Sequence, residues 1–212
     1  MKKIFTLWML ATMMVAGKSY AQNSLVATLE HNETTTVFVG VNALSEAHNA
    51  AVNGDLITLS SGTFNACNIT KAITLRGAGM ELDTINHIEP TILNGDFGLT
   101  AYVDTCAVTL EGLYHDANIN LTGDATLRNP LFLKCRLGSV ICNFSSGNYY
   151  TTYNYWSKMA NAKFVNCIIT KSIPFSGTAS FTNCLITDLY QHHTSMAVDI
   201  TNCILIYSSF AC

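Results

Sequence analysis

The sequence predicts an all-β chain: a right-handed parallel β-helix solenoid with a short N-terminal capping α-helix. Three observations carry this prediction. The 212 residues are 49% hydrophobic but only 12% charged, about half the charge of an ordinary globular domain. Strand-like heptads recur at spacings of 17 to 22 residues, with one gap of 32. Within them, residue types suited to a left-handed bend recur at one position.

Residues 1–21 read as an export signal. Lys2 and Lys3 precede an apolar run from Ile4 to Gly17, and Ser19-Tyr20-Ala21 is a small-x-small cleavage site. The run is short for a bilayer span. No cysteine stands at the cleavage point, which argues against a lipid anchor, and no later stretch is apolar enough to span a membrane. The expectation is a secreted chain, extracellular or periplasmic, with one domain over residues 22–212.

Leu44, Ala47, Ala51 and Val52 fall on one helical stripe. A helix over about 43–52 suits the open end of a stack, since repeat proteins need caps. The coils then run from about residue 55. Their anchors are Leu75, Leu93, Leu110, Phe132, Phe164, Phe181 and Ile200. Two positions later stand Gly77, Gly95, Gly112, Lys134, Asn166, Asn183 and Asn202. All but Lys134 are types that tolerate positive φ. One residue further, Cys135, Cys167, Cys184 and Cys203 form a fourfold series. Stacking at about 4.8 Å turns such repeats into columns of identical side chains. The cysteines are expected to pack as reduced small hydrophobes rather than as disulfides. Hairpin barrels have a period near 10 residues. Neither leucine-rich nor hexapeptide phrasing occurs.

The chain stops at Cys212, just after the strand-like Ile204 to Tyr207. With no cap there, the expectation is a truncated piece of a longer protein, or a last coil covered by a partner or by end-to-end stacking of a second copy.

The stretch Ala43 to Phe64 holds Gly54-Asp55-Leu-Ile-Thr-Leu59 and Gly62-Thr-Phe64. With Lys71-Ala-Ile-Thr-Leu-Arg-Gly77 and Thr91-Ile-Leu-Asn-Gly95, it resembles the opening of pectin-lyase-like β-helix proteins. The resemblance covers residues 36 to 95 well and later coils generically. It implies the fold. Its members include lyases, hydrolases and adhesins, so it does not fix a function.

Charge is unevenly placed. Residues 22–124 hold 12 acidic and 2 basic side chains, whereas residues 125–187 hold six basic ones and no carboxylate. The six are Arg128, Lys134, Arg136, Lys158, Lys163 and Lys171. A local positive field attracts anions, and for an exported β-helix an acidic polysaccharide is the natural partner. The insertion 143–162 lies in this run and carries Tyr149, Tyr150, Tyr153, Tyr155 and Trp156. Their flat apolar faces suit sugar rings. Together with Lys158 they form the expected binding site.

Hydrolases need two carboxylates about 5–10 Å apart, and the basic run has none. The Asp-Asp, Gly-His-Gly and Arg-x-Lys groupings of pectin hydrolases are also missing. A polysaccharide lyase of the resembled kind would need a basic side chain as base, with calcium often neutralising the uronate. Lys134 and Arg136, two apart on one strand face, would be that pair, with Lys163 on a neighbouring coil. The leading expectation is binding without catalysis and without a cofactor. A lyase, with calcium as the only cofactor it would call for, is the alternative. A structural module of a larger surface protein is the second alternative.

His192-His193 near Asp188 has no metal-ligand spacing on a strand. Asp96, Asp104, Glu111, Asp116 and Asp124 lack a calcium-loop pattern. His31, His48, His87 and His115 are scattered. No metal site and no nucleic-acid partner are expected.

Overall fold

The computed structural model describes residues 24–100, 107–122, 126–142, 159–175, 177–191 and 197–209. Residues 1–21 (expected to be an export signal), Cys106, His192-His193, Cys212 and most of the aromatic insertion lie outside them.

The chain opens with strands β1 (Val26–His31) and β2 (Thr34–Val39), then helix α1 (Ala43–Ala50). Strands β3 (Leu56–Leu59), β4 (Gly62–Asn65), β5 (Asn68–Ile69) and β6 (Thr74–Arg76) follow. Next come β7 (Thr91–Asn94), β8 (Phe97–Thr100), β9 (Thr109–Glu111) and β10 (Leu113–Thr122). Then come β11 (Leu127–Arg128), β12 (Leu131–Leu133), β13 (Arg136–Cys142), β14 (Met159–Val165) and β15 (Ile168–Phe175). The last are β16 (Gly177–Thr182), β17 (Leu185–Gln191), β18 (Ala197–Thr201) and β19 (Ile204–Ser209).

The described residues are mostly strands in two sheets, with one helix. One sheet runs β2-β1-β3-β6-β9-β12-β14-β16-β18, and the other β4-β7-β10-β13-β15-β17-β19. From β12 to β19 the chain alternates between them, so sheet neighbours are parallel and one repeat apart. Among the described strands the antiparallel pairs are β1 with β2 and β1 with β3.

Between the sheets runs an apolar column. Ile57, Leu75, Leu110, Phe132, Phe164, Phe181 and Ile200 are successive register partners. The Phe164 ring stacks on Phe132 at 4.4 Å and on Phe181 at 4.7 Å. Leu93 is not in this column. It lies on β7 in the other sheet, in register with Phe64. Period-two alternation looks the same on either sheet, which is why the sequence pattern misplaces it. Leu75 and Leu110 are thus direct neighbours, and residues 78–90 form an excursion within one long repeat.

The bend column is Gly112, Lys134, Asn166, Asn183 and Asn202, with φ of 64, 51, 54, 53 and 54°. Lys134 takes the left-handed conformation despite its type, while its N–H donates to the Val165 carbonyl at 2.9 Å. Gly77 has no left-handed φ. Asn202 donates to Asn183, and Asn183 to Asn166, through their carboxamides.

Cys135, Cys167, Cys184 and Cys203 form the next column, and their thiols are free. Each Sγ lies 3.3–3.4 Å from the carbonyl of the preceding repeat's anchor: Leu110, Phe132, Phe164 and Phe181. The thiol beside it in Cys135, and then burial, push Cys167 up to about 12, with Cys184 opposing. Burial alone pushes Cys67 up to about 11. These two cysteines enter the core as neutral groups.

Helix α1 ends at Ala50, two residues earlier than the stripe predicts, and Val52 is exposed. The Lys71 ammonium draws off the end of the helix. It donates to the carbonyls of His48, Asn49 and Ala51 at 2.6, 3.0 and 2.7 Å, where a cation meets the negative end of the helix dipole. The Asp55 carboxylate then closes the turn, accepting the Val52 N–H at 2.7 Å and lying 2.7 Å from His31 Nδ1. Burial would raise the Asp55 pKa, but the Val52 N–H and His31 outweigh it and hold the carboxyl below its ordinary value.

His48 is buried, and its Nε2 accepts the Thr70 N–H at 3.1 Å. Burial first, and then the Lys71 charge, lower its pKa from the ordinary value of 6.5. The unfolded chain therefore takes up this proton first as pH falls. His48's contribution to stability is full above pH 6.5 and is lost progressively as pH falls from there through the lower value the folded chain imposes. His48→Gln is expected to flatten this part of the pH dependence, read as urea midpoints at several pH values on either side of 6.5. A His48→Gln protein with the wild-type pH dependence would contradict it.

His115 is also structural. It is buried, with Nδ1 2.9 Å from the Leu93 carbonyl and Nε2 3.1 Å from that of Asn118. It fixes the register irregularity of β10 between His115 and Asn118.

Candidate functional site

The stacked bends leave a cavity of about 350 Å³ on the outer surface. One wall is the Gly77-Ala78-Gly79 run with Met80 and Glu81, where the 78–90 excursion leaves β6. Beside it the lining continues through Glu111, Gly112, Lys134 and Asn166, from three successive repeats. Arg76 completes it. Small residues and the left-handed bends at Gly112, Lys134 and Asn166 line the space.

Its charges are not equivalent. Arg76 Nε donates to Glu111 Oε2 at 2.8 Å, so these two largely neutralise each other. Lys134 has no carboxylate partner among the described residues. Among the described cations Glu81 approaches only Arg136, with Oε1 3.9 Å from Nη1. The Arg136 guanidinium also lies over the Tyr114 ring, 5.0 Å from its centroid.

The sequence-predicted residues are thus separated. Lys134 and Arg136 do not share a strand face. Lys134 is the left-handed bend after β12, and Arg136 begins β13 in the other sheet. The bend reverses the alternation on which the two-apart rule depends. Lys163 lies on β14 opposite Leu131 and takes no part in the cavity wall. Lys171 donates to the Asp116 carbonyl at 2.6 Å. Tyr149, Tyr150, Tyr153, Tyr155, Trp156 and Lys158 lie outside the described residues. The predicted insertion is shorter at its far end, because Met159 to Ala162 belong to β14, with Met159 and Ala162 buried.

Sequence reasoning missed Arg76, Glu81 and Asn166 as cavity residues. The only linear sign was the run of small residues after Arg76. Among the acidic residues considered for calcium, Glu111 is taken by Arg76, and Asp116 accepts the Thr170 hydroxyl at 3.1 Å. Asp104 and Asp124 lie outside the described residues. Among the described residues no group of three His, Cys, Asp or Glu side chains could hold a metal ion. No helix among them is long and apolar enough to cross a membrane.

Comparisons with protein-family models, curated proteins and solved structures find no match.

Proposed function

We propose that this chain is an exported right-handed parallel β-helix of pectin-lyase-like type. Its function is to bind an acidic polysaccharide at the Lys134 cavity without cleaving it. The observation that supports this most is the Lys134 ammonium, which borders the cavity with no carboxylate partner among the described residues. Arg136 stands beyond Glu81 as a second cation with only a loose partner. Asn166 adds a carboxamide N–H donor, its oxygen already accepting from Asn183, and Met80 adds apolar surface. Such a mixture suits a sugar carrying a carboxylate or sulfate: charge-assisted bonds to the anion, neutral bonds to hydroxyls, and apolar contact with the ring.

Binding without cleavage is favoured over a lyase by the separation of Lys134, Arg136 and Lys163. A base and a uronate clamp must face one reacting carbon, and these three do not line one wall.

Lys134→Asn tests the site while keeping the bend, since the next three repeats already use Asn there. Removing one charge-assisted contact is expected to weaken retention on immobilised polygalacturonate, alginate or chondroitin sulfate about 5- to 10-fold. Unchanged retention would remove the cavity from the binding site. Unsaturated uronate absorbance on incubation with these polymers would overturn the non-catalytic part.

A further inference from the structure

Among the described residues, one buried side-chain nitrogen or oxygen has no hydrogen-bond partner: Nε of Arg136. Leaving a buried donor unpaired is costly, so this atom marks an incomplete arrangement. The rest of the guanidinium is also under-used. Its Nη1 has Glu81 Oε1 at 3.9 Å, beyond hydrogen-bond length, and its face rests on Tyr114. Arg76, which lines the cavity, makes a 2.8 Å bond to Glu111. The contrast is geometric. Glu111 projects from a strand in register with Arg76, whereas Glu81 hangs from the 78–90 excursion.

That excursion is pinned at its ends. Gly79 N–H donates to the Gly112 carbonyl at 3.1 Å, and Thr91 N–H to the Gly79 carbonyl at 2.9 Å. Between the pins it holds itself together. Asp83 and Ile88 exchange backbone bonds, and the Asp83 carboxylate accepts the N–H groups of Ile85 and Asn86. Glu81 is about half exposed. Its carboxylate can therefore leave Arg136 without breaking a strand.

We infer that Arg136, which stands beside the cavity behind its lining residue Glu81, is the carboxylate-recognising residue, and that Glu81 is its displaceable place-holder. This rests on the acidic-polysaccharide reading above. A ligand carboxylate takes the position Glu81 only approaches, and the planar guanidinium meets it through N–H bonds from its two Nη groups, Nε being buried out of a ligand's reach. Lys134 supplies the second cation. The ligand class is a polymer of uronic acids. Tyr114 holds the guanidinium plane from below and acts as a positioning residue.

Glu81→Gln keeps the side chain's size and removes the competing charge. Binding of a galacturonate tetramer is measured by calorimetry on the wild type, Glu81→Gln, Arg136→Lys, the double variant and Lys134→Asn. A neutral galactose tetramer is the control. Glu81→Gln is expected to bind the uronate about 5- to 10-fold more tightly than the wild type. Arg136→Lys keeps the charge but loses the two-bond fork. It is expected to bind more weakly than the wild type, and the double variant to show no gain from Glu81→Gln. The neutral tetramer is expected to respond to none of these changes. A Glu81→Gln protein that binds no more tightly than the wild type, or a gain that survives Arg136→Lys, overturns the inference. If Lys134→Asn still weakens binding in that case, the polysaccharide reading stands and only Glu81's role falls. If neither the wild type nor Glu81→Gln binds any uronate oligomer, both fall.

Discussion

Replacing Phe164 by alanine is expected to cost about 3–5 kcal/mol of stability. The ring is fully buried, with Phe132 at 4.4 Å and Phe181 at 4.7 Å on its two faces, the planes 2° and 12° from parallel. The loss has two parts: the transfer energy of the ring and the hole it leaves. The hole cannot close easily. The backbones of β12, β14 and β16 are hydrogen-bonded in register above and below it, so their spacing is fixed near 4.8 Å. Two ring contacts disappear as well, each worth about 0.5–1.5 kcal/mol. Phe164→Leu fills much of the volume and should cost less. Urea midpoints of the two variants check this. A loss below about 1 kcal/mol for alanine would mean that the column is not packed as described.

The second large effect is expected at Gly77. A Cβ there would stand 2.5 Å from the Gly112 carbonyl oxygen, 2.7 Å from Thr91 Cβ and 2.8 Å from Leu113 Cδ2. One obstacle is backbone and the others are packed side chains, so relief requires shifting the strands. Gly77→Ala is expected to cost about 2–3 kcal/mol. Gly77→Asn should be at least as harmful. Gly95 is the contrast. Its φ is 93° and nothing lies within 4 Å of the added carbon, so Gly95→Asn meets open space in a left-handed backbone that Asn tolerates better than most residues. The bend pattern in the sequence treats these two glycines alike; the structure separates them. Close approach governs Gly77, and backbone conformation governs Gly95. Thermal melts of the three variants distinguish the two causes. A Gly77→Ala protein within about 0.5 kcal/mol of the wild type would contradict the close approach.

Much of the fold is legible in the sequence, for identifiable reasons. The Phe and Ile anchors, the Asn bends and the Cys series sit one repeat apart, and the register pairs them directly. Helix α1 and the Gly54-Asp55 turn are also legible, because Asp55 has a local partner in the Val52 N–H. The antiparallel β1–β2 pair is harder to read. Its turn is Asn32-Glu33, both residues at positive φ, and Glu is not a residue that announces such a turn. Leu93 reads as an anchor because strand alternation carries no label for its sheet.

The candidate site is less legible than the fold. Lys134 stands out because it replaces Asn or Gly in the bend series. Its separation from Arg136 does not, because counting by twos assumes a continuous strand. The cavity itself is assembled from Arg76, Glu81, Glu111, Lys134 and Asn166. These meet only because Leu75 and Leu110 are stacked neighbours, with the 78–90 excursion folded out between them.

The central claim is that an acidic sugar chain occupies the Lys134 cavity. The crystal structure of the protein soaked with a galacturonate tetramer tests it most directly. The account predicts a sugar carboxylate within hydrogen-bond distance of Lys134 Nζ, with Glu81 displaced from Arg136. A well-ordered tetramer bound only at another surface, with Glu81 still facing Arg136, would contradict it.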